Sequence, residues 1–217
     1  MSANYYILKP AVGTKETGNV FPAVESYDNY DFDAPNSVYK LDSDMFPDFV
    51  PDIRFKLAIG AKLCDLMGQA TISACGLLMS EKFKNVIEQN NILPHQFYSA
   101  TIEDNGILHQ YYWMHVAWKD GIKYLDFQNS KFRIKRASKD LGEIKIVSYE
   151  DLLNKQGELG FIKMIHNYES TMFNPKIELF IHPLNKTFYI TETLKSIIKS
   201  HNLSGSDFQP ADNLKVI

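Results

Sequence analysis

Apolar residues stand at positions 83, 86 and 87 of this chain and again at 194, 197 and 198, each time inside a short stretch that is otherwise polar. That spacing puts them on one face of a helix of about 3.6 residues per turn, while Lys84, Glu88, Lys195 and Lys199 fall outside it. Ser80 and Thr191 precede these stretches and can accept hydrogen bonds from the free amides of a first helical turn. Glu81 and Glu192 place negative charge at the positive end of the helix dipole. Each helix stops at polar residues (Asn90-Asn91 and His201-Asn202). A turn former follows (Pro94 or Gly205), then an aromatic residue that opens a strand (Phe97 or Phe208). Written one above the other, SEKFKNVIEQNNILPHQF and TETLKSIIKSHNLSGSDF agree without a gap. The pattern predicts two similar strand, helix, turn, strand units, at 77–98 and 188–209. A spacing this long fits two copies of one supersecondary unit, not a solenoid; chance agreement between two capped amphipathic helices is the alternative.

Elsewhere the pattern has period two. Strands are expected at Tyr5–Leu8, Lys62–Leu66, Phe97–Ile102, Leu108–Trp118, Lys123–Phe127 and Phe132–Lys135, with turns at Asp104-Asn105-Gly106 and Asp120-Gly121. Further strands are expected at Glu143–Val147, Phe161–Ile165, Ile177–Phe180 and Phe188–Ile190, with a short helix at Tyr149–Asn154. The fold class is α+β, mainly antiparallel sheet. In the aromatic stretch His109–Trp118, alternation assigns Tyr112, Met114, Val116 and Trp118 to a core face and His109, Tyr111, Trp113 and His115 to the other. The second face reads either as an interface, because Trp and Tyr bury much area while keeping a polar tip, or as ordinary sheet packing. His109 and His115 would lie some 20 Å apart at about 3.3 Å per residue, so they cannot share a metal ion.

Length and charge refine this picture. The 217 residues, 45% hydrophobic and 13% aromatic, are enough for one substantial domain over 1–217. No apolar run approaches the roughly 20 residues of a membrane helix, and the N-terminus lacks a signal-peptide pattern, so a cytoplasmic location is expected. Cys64 and Cys75 are too few for a zinc site and are expected to be reduced and at least partly buried. The net charge is −3, but eight acidic residues (Glu25, Asp28, Asp31, Asp33, Asp42, Asp44, Asp48 and Asp52) face one basic residue, Lys40, between 25 and 52. This stretch reads as a loop-rich acidic arm with strands at most at Val38–Leu41 and Phe49–Val50. It suits docking to a basic partner; the alternatives are a solvated loop, or an arm folded back on the basic stretch Lys131, Arg133, Lys135, Arg136 and Lys139. Asp28, Asp31 and Asp33 lack the register, glycine and terminal glutamate of a calcium loop. No nucleophile elbow, phosphate loop or zinc-protease motif is present, and the basic cluster is too short for a nucleic-acid footprint. A small hydrolase-like enzyme would rest on Asp126 and Ser130 with His166 or His182.

A family resemblance enters on longer phrases. They are Tyr5–Pro10, Gly76–Lys84, Gln96-Phe97-Tyr98, Tyr111-Tyr112, Leu125-Asp126-Phe127 with Ser130, and Tyr189–Glu192 through Leu203–Pro210. Together these resemble a family of immunity proteins from bacterial polymorphic-toxin systems. The resemblance implies a cytoplasmic protein that binds a cognate toxin, or a toxin delivered by a neighbouring cell, and blocks it by occlusion, and it supplies no catalytic residue to carry over; no cofactor and no metal are expected. A regulatory binding protein unrelated to toxins is a further alternative. The contact surface expected for such a partner is the arm, through Asp28, Asp31, Asp33, Asp42 and Asp44, with His109, Tyr111, Trp113 and His115 as a second face.

Overall fold

The computed structural model describes residues 5–173 and 176–217. In chain order the elements are β1 (Tyr5–Pro10), β2 (Val24–Glu25), β3 (Ile53–Leu57), β4 (Leu66–Met67), β5 (Gly76–Ser80), α1 (Glu81–Glu88), β6 (His95–Asp104) and β7 (Ile107–Val116). They continue with β8 (Lys131–Arg136), β9 (Lys139–Ile144), α2 (Tyr149–Leu159), β10 (Met164–Met172), β11 (Leu179–Ile181), β12 (Phe188–Thr191), α3 (Glu192–Ser200), β13 (Ser206–Pro210) and β14 (Leu214–Val216). Among the described residues the class is α+β and mainly sheet, as the pattern implied.

Local chemistry accounts for the helix starts. Ser80, Ser148 and Thr191 sit in extended backbone, and their side chains accept from the amides of Phe83, Asp151 and Leu194 respectively. The sharp hairpin between β6 and β7 turns on Asn105 and Gly106, at φ 50° and 81°. Positive φ at both central residues is what a two-residue turn needs to match the twist of its strands.

Three sheets result. The central one has six strands in the order β2-β3-β6-β7-β5-β4; two four-stranded sheets run β11-β12-β1-β13 and β14-β10-β8-β9. The two helical stretches noticed in the sequence take the same path. β5 and β6 flank β7 and are antiparallel to it, with α1 connecting them; β12 and β13 flank β1 in the same way, with α3 connecting them. Each helix packs on its own sheet, and α1 also meets α3. Asp65 ties the two together. Its carboxylate accepts from Ser80 Oγ at 2.7 Å and from the amide and hydroxyl of Ser204 at 2.8 and 2.9 Å.

The central sheet carries a core on each face. On one side Met114 and Val116 join Leu77, Phe83, Ile87, Phe180, Ile190, Leu194 and Ile198. On the other, Tyr111 and Trp113 join Phe55, Leu78 and Ile102 together with Tyr30, Val38 and Leu41 from the arm. Both cysteines are free and buried; burial pushes the Cys64 thiol up to about 11.

Several elements differ from expectation. Val38–Leu41 is not a strand: Val38–Lys40 is a 3-10 turn capped by Ser37 Oγ, and Phe49–Val50 lies outside the strands among the described residues. Lys62–Leu66 contracts to the two-residue β4, and the strand expected at Lys123–Phe127 is the end of a 3-10 helix, Trp118–Tyr124, followed by a turn. The helix expected to end at Asn154 continues to Leu159, where Gly160 stops it at φ 70°. Glu143–Val147 is displaced to Lys139–Ile144, which β8 pairs across a short turn.

Candidate functional site

The acidic arm lies across the outer face of the central sheet and is held there by specific bonds. Tyr30 Oη donates to the carbonyl of Asp52 at 2.7 Å and accepts from the amide of Val38 at 2.9 Å, closing residues 30–52 into a loop around one phenol. The Asp52 amide donates to the Asn36 carbonyl at 2.8 Å. Phe32 lies between the rings of Tyr30 and Tyr39, with centroids 4.8 and 4.4 Å away. Farther along, the arm is strapped to β7 and the residues after it. The Trp118 amide donates to the Ser43 carbonyl at 3.1 Å, the Cys75 amide to Ser43 Oγ at 3.2 Å, and His115 Nε2 to the Met45 carbonyl at 3.0 Å. Trp118 Nε1 donates to Asp44, whose carboxylate also pairs with Lys119 at 2.6 Å. The Lys119 bond, reinforced by Trp118, holds the Asp44 carboxyl below its usual range.

The remaining carboxylates face outward. Asp31 and Asp42 each accept from the amide two residues on, shaping the loop, and their side chains stay exposed with those of Asp33 and Asp48. Asp28 reaches only the loose pair with Lys56 at 3.8 Å, while Asp52 is held by Arg54 at 2.6 Å. The arm therefore does not fold onto the basic stretch, where Lys131 pairs with Glu169 and Arg133 with Asp140. Among the outward carboxylates stand three exposed apolar side chains, Tyr39, Met45 and Val50, at 58%, 62% and 74%. Charge alone pointed to the arm. These three are not legible in the sequence, because a segment without periodicity gives no sign of which residues are covered.

The second expected face is corrected by its burial. Trp113 and His115 are fully buried, and Tyr111 is nearly so, donating its hydroxyl to the Cys64 carbonyl at 2.9 Å. They are internal because the arm covers this side of β7. Desolvation there lowers the His115 pKa and favours the neutral ring that donates to Met45. His109 lies beyond the cover, half-buried near the β6–β7 tip, where Ile107 and Leu108 are exposed. Tyr27 Oη donates to Glu103 at 2.7 Å and so joins the start of the arm to the stem of this hairpin.

Asp126, Ser130 and the histidines do not assemble. The Asp126 carboxylate is occupied by the amides of Gln128 and Asn129 and by Asn129 Nδ2 at 3.1, 3.2 and 2.7 Å, which shape the turn after it. Ser130 Oγ donates to the Asp126 carbonyl at 2.6 Å and accepts from the Thr171 amide at 2.9 Å. His182 lies 2.8 Å from a different serine, Ser170, and His166 is exposed on β10. Among the described residues no cluster of three or more His, Cys, Asp or Glu could hold a metal ion. A cleft of about 400 Å³ between β1 and β5 is mainly apolar, lined by Ile7, Phe21, Leu77, Trp113 and Phe188 together with Lys186.

No helix among the described residues is long and apolar enough to cross a membrane. No curated protein matches the chain. A family model does: that of the immunity protein family Imm11 matches residues 4–161, a span that includes the arm, the central sheet and α2. With most of its length matched, the chain belongs to the Imm11 immunity protein family.

Proposed function

We propose that this chain is a cytoplasmic immunity protein that binds a cognate bacterial toxin and neutralises it by occlusion, stoichiometrically and without a cofactor. Family membership is the observation that carries this reading. The arm supports a contact surface. Its carboxylates at Asp28, Asp31, Asp33 and Asp42 point outward around Tyr39, Met45 and Val50, an arrangement of apolar anchors in a charged rim that suits a basic partner. Asp44 acts as the clasp that fixes this surface to Trp118 and Lys119, and His109 with the hairpin tip forms its border. Because Tyr30, Val38 and Leu41 are buried beneath the surface, the arm is ordered before a partner arrives, which limits the entropy lost on binding.

Co-expression with the product of the neighbouring toxin gene tests the function. Co-purification of the two proteins and relief of toxicity are expected; failure of both rejects the reading. Changing Asp28, Asp31 and Asp33 to lysine is expected to slow association with the toxin and flatten its salt dependence, measured by stopped-flow at several ionic strengths. Unchanged kinetics would move the contact away from the arm.

A further inference from the structure

The cleft between β1 and β5 lies where the four-stranded sheet that contains β1 meets the central sheet. Its volume, about 400 Å³, is that of a small-molecule site, and Ile7, Phe21, Leu77 and Phe188 give it apolar walls. Lys9, Lys186 and Trp113 line it as donors, and no aspartate or glutamate lines it among the described residues. The other polar side chains have partners outside the cleft. Gln69 binds Ile72 with both ends of its amide, Gln209 donates to Asp207, and Thr187 donates to the Asn185 carbonyl. The charge presented to the cleft is therefore positive.

Trp113 adds an independent observation. It is fully buried, and its Nε1 is shut off from solvent without an acceptor among the described residues. A buried donor in this state is costly, and native folds pair nearly all of them. Gly76 shows where an acceptor belongs. It lines the cleft, and a Cβ on it would lie 2.5 Å from Trp113 Cε2, the ring atom bonded to Nε1. Bare backbone at Gly76 thus brings the cleft to the edge of the indole that carries the N–H.

Lys186 supplies a charge at the same end. Its ammonium rests 5.6 Å from the centre of the Trp118 ring and acts electrostatically on Cys75, the residue next to Gly76. It is in no ion pair among the described residues, and Asp44, the other group it acts on, is held by Lys119. We infer that this cleft binds a small apolar monocarboxylate, its carbon body between β1 and β5, one carboxylate oxygen accepting from Trp113 Nε1 and the charge facing Lys186. The walls select the body and the donors select the head. Cations without a lining carboxylate favour an anion over an amine or an alcohol. One N–H and one unpaired ammonium suit the two oxygens of a carboxylate better than the three of a phosphate. Lys9 is already drawn to Asp207, at 3.6 Å.

Titration of the whole chain with decanoate and with naphthoate, followed by calorimetry and by proton–nitrogen correlation spectra, tests this. No toxin is present, so the outcome is independent of the proposed function. Saturable binding of at least one probe is expected, and the tighter of the two tells an aliphatic body from an aromatic one. The two tryptophans give two indole N–H signals, and the one that Trp113→Phe removes is expected to move downfield on titration. Trp118→Phe makes the assignment by elimination should that variant fail to fold. Lys186→Gln is expected to raise the Kd roughly tenfold, and decanol to bind roughly tenfold more weakly than decanoate. Binding of neither probe, a Trp113 signal unmoved at saturation, equal affinity for decanol, or an unchanged Kd in Lys186→Gln overturns the proposal.

Discussion

At the scale of single residues, the buried histidine His182 makes the clearest prediction. Its Nδ1 accepts from the amides of Leu184 and Asn185, which assigns the proton to Nε2, 2.8 Å from Ser170 Oγ; Ser170 in turn donates to Asn167. Burial lowers the His182 pKa from 6.5 to about 4. The unfolded chain therefore binds a proton below pH 6.5 that the folded chain refuses until about pH 4, so stability is full above pH 6.5 and falls as the pH drops across that window. The loss from this group is on the order of 3 kcal/mol. Denaturant midpoints measured from pH 7 to pH 4 should show the decline, and a His182→Asn variant, less stable at pH 7, should show a smaller one. A second residue acts by size alone. A Cβ on Gly76 would overlap the Met114 carbonyl and the Trp113 indole, and both are in the core. Gly76→Ala should destabilise by about 1–3 kcal/mol through overpacking, visible as a lower Tm.

At the scale of elements, the two capped helices differ in one respect that can be measured. Thr191 caps α3 through a single bond to the Leu194 amide, whereas Ser80 both caps α1 and donates to Asp65, which also holds Ser204. Thr191→Ala should cost about 1 kcal/mol. Ser80→Ala should cost more, and the excess should vanish in an Asp65→Ala background, as a double-mutant cycle would report. These helices were legible because caps and a 3.6-residue period act over a few neighbouring residues. The hairpin was legible for the same reason, since Asn105-Gly106 favours one turn type. The 3-10 turn at Val38–Lys40 was not, because Val and Tyr favour strands and the competing signal was one serine cap. Strand β3 went unnoticed because Ile53–Leu57 follows directly on the irregular arm; its partner β6 lies far along the chain and pairs with it in parallel.

At the scale of the whole molecule, the arm is both a surface and a layer of the core. Eight carboxylates in a stretch of loop residues announced its charge, but which face of β7 it would cover was illegible. Period-two alternation separates Tyr111, Trp113 and His115 from Met114 and Val116 without saying that each set meets its own cover. The covering has a mechanical consequence. Weakening the clasp, with Asp44→Ala, should let residues 42–46 lift from β7 while the three sheets stay folded. Hydrogen exchange at the Trp118 and Cys75 amides, which donate to Ser43, should rise with little change at β12 and α3. The chain has two tryptophans, and both are linked to the arm: Trp118 donates to Asp44, and Trp113 belongs to the core cluster that Tyr30, Val38 and Leu41 of the arm also enter. The molecule thus carries its own optical reporter. A partner that seats on the arm, or pulls it away, should change the intrinsic emission of the unlabelled protein, so that binding can be followed by fluorescence alone.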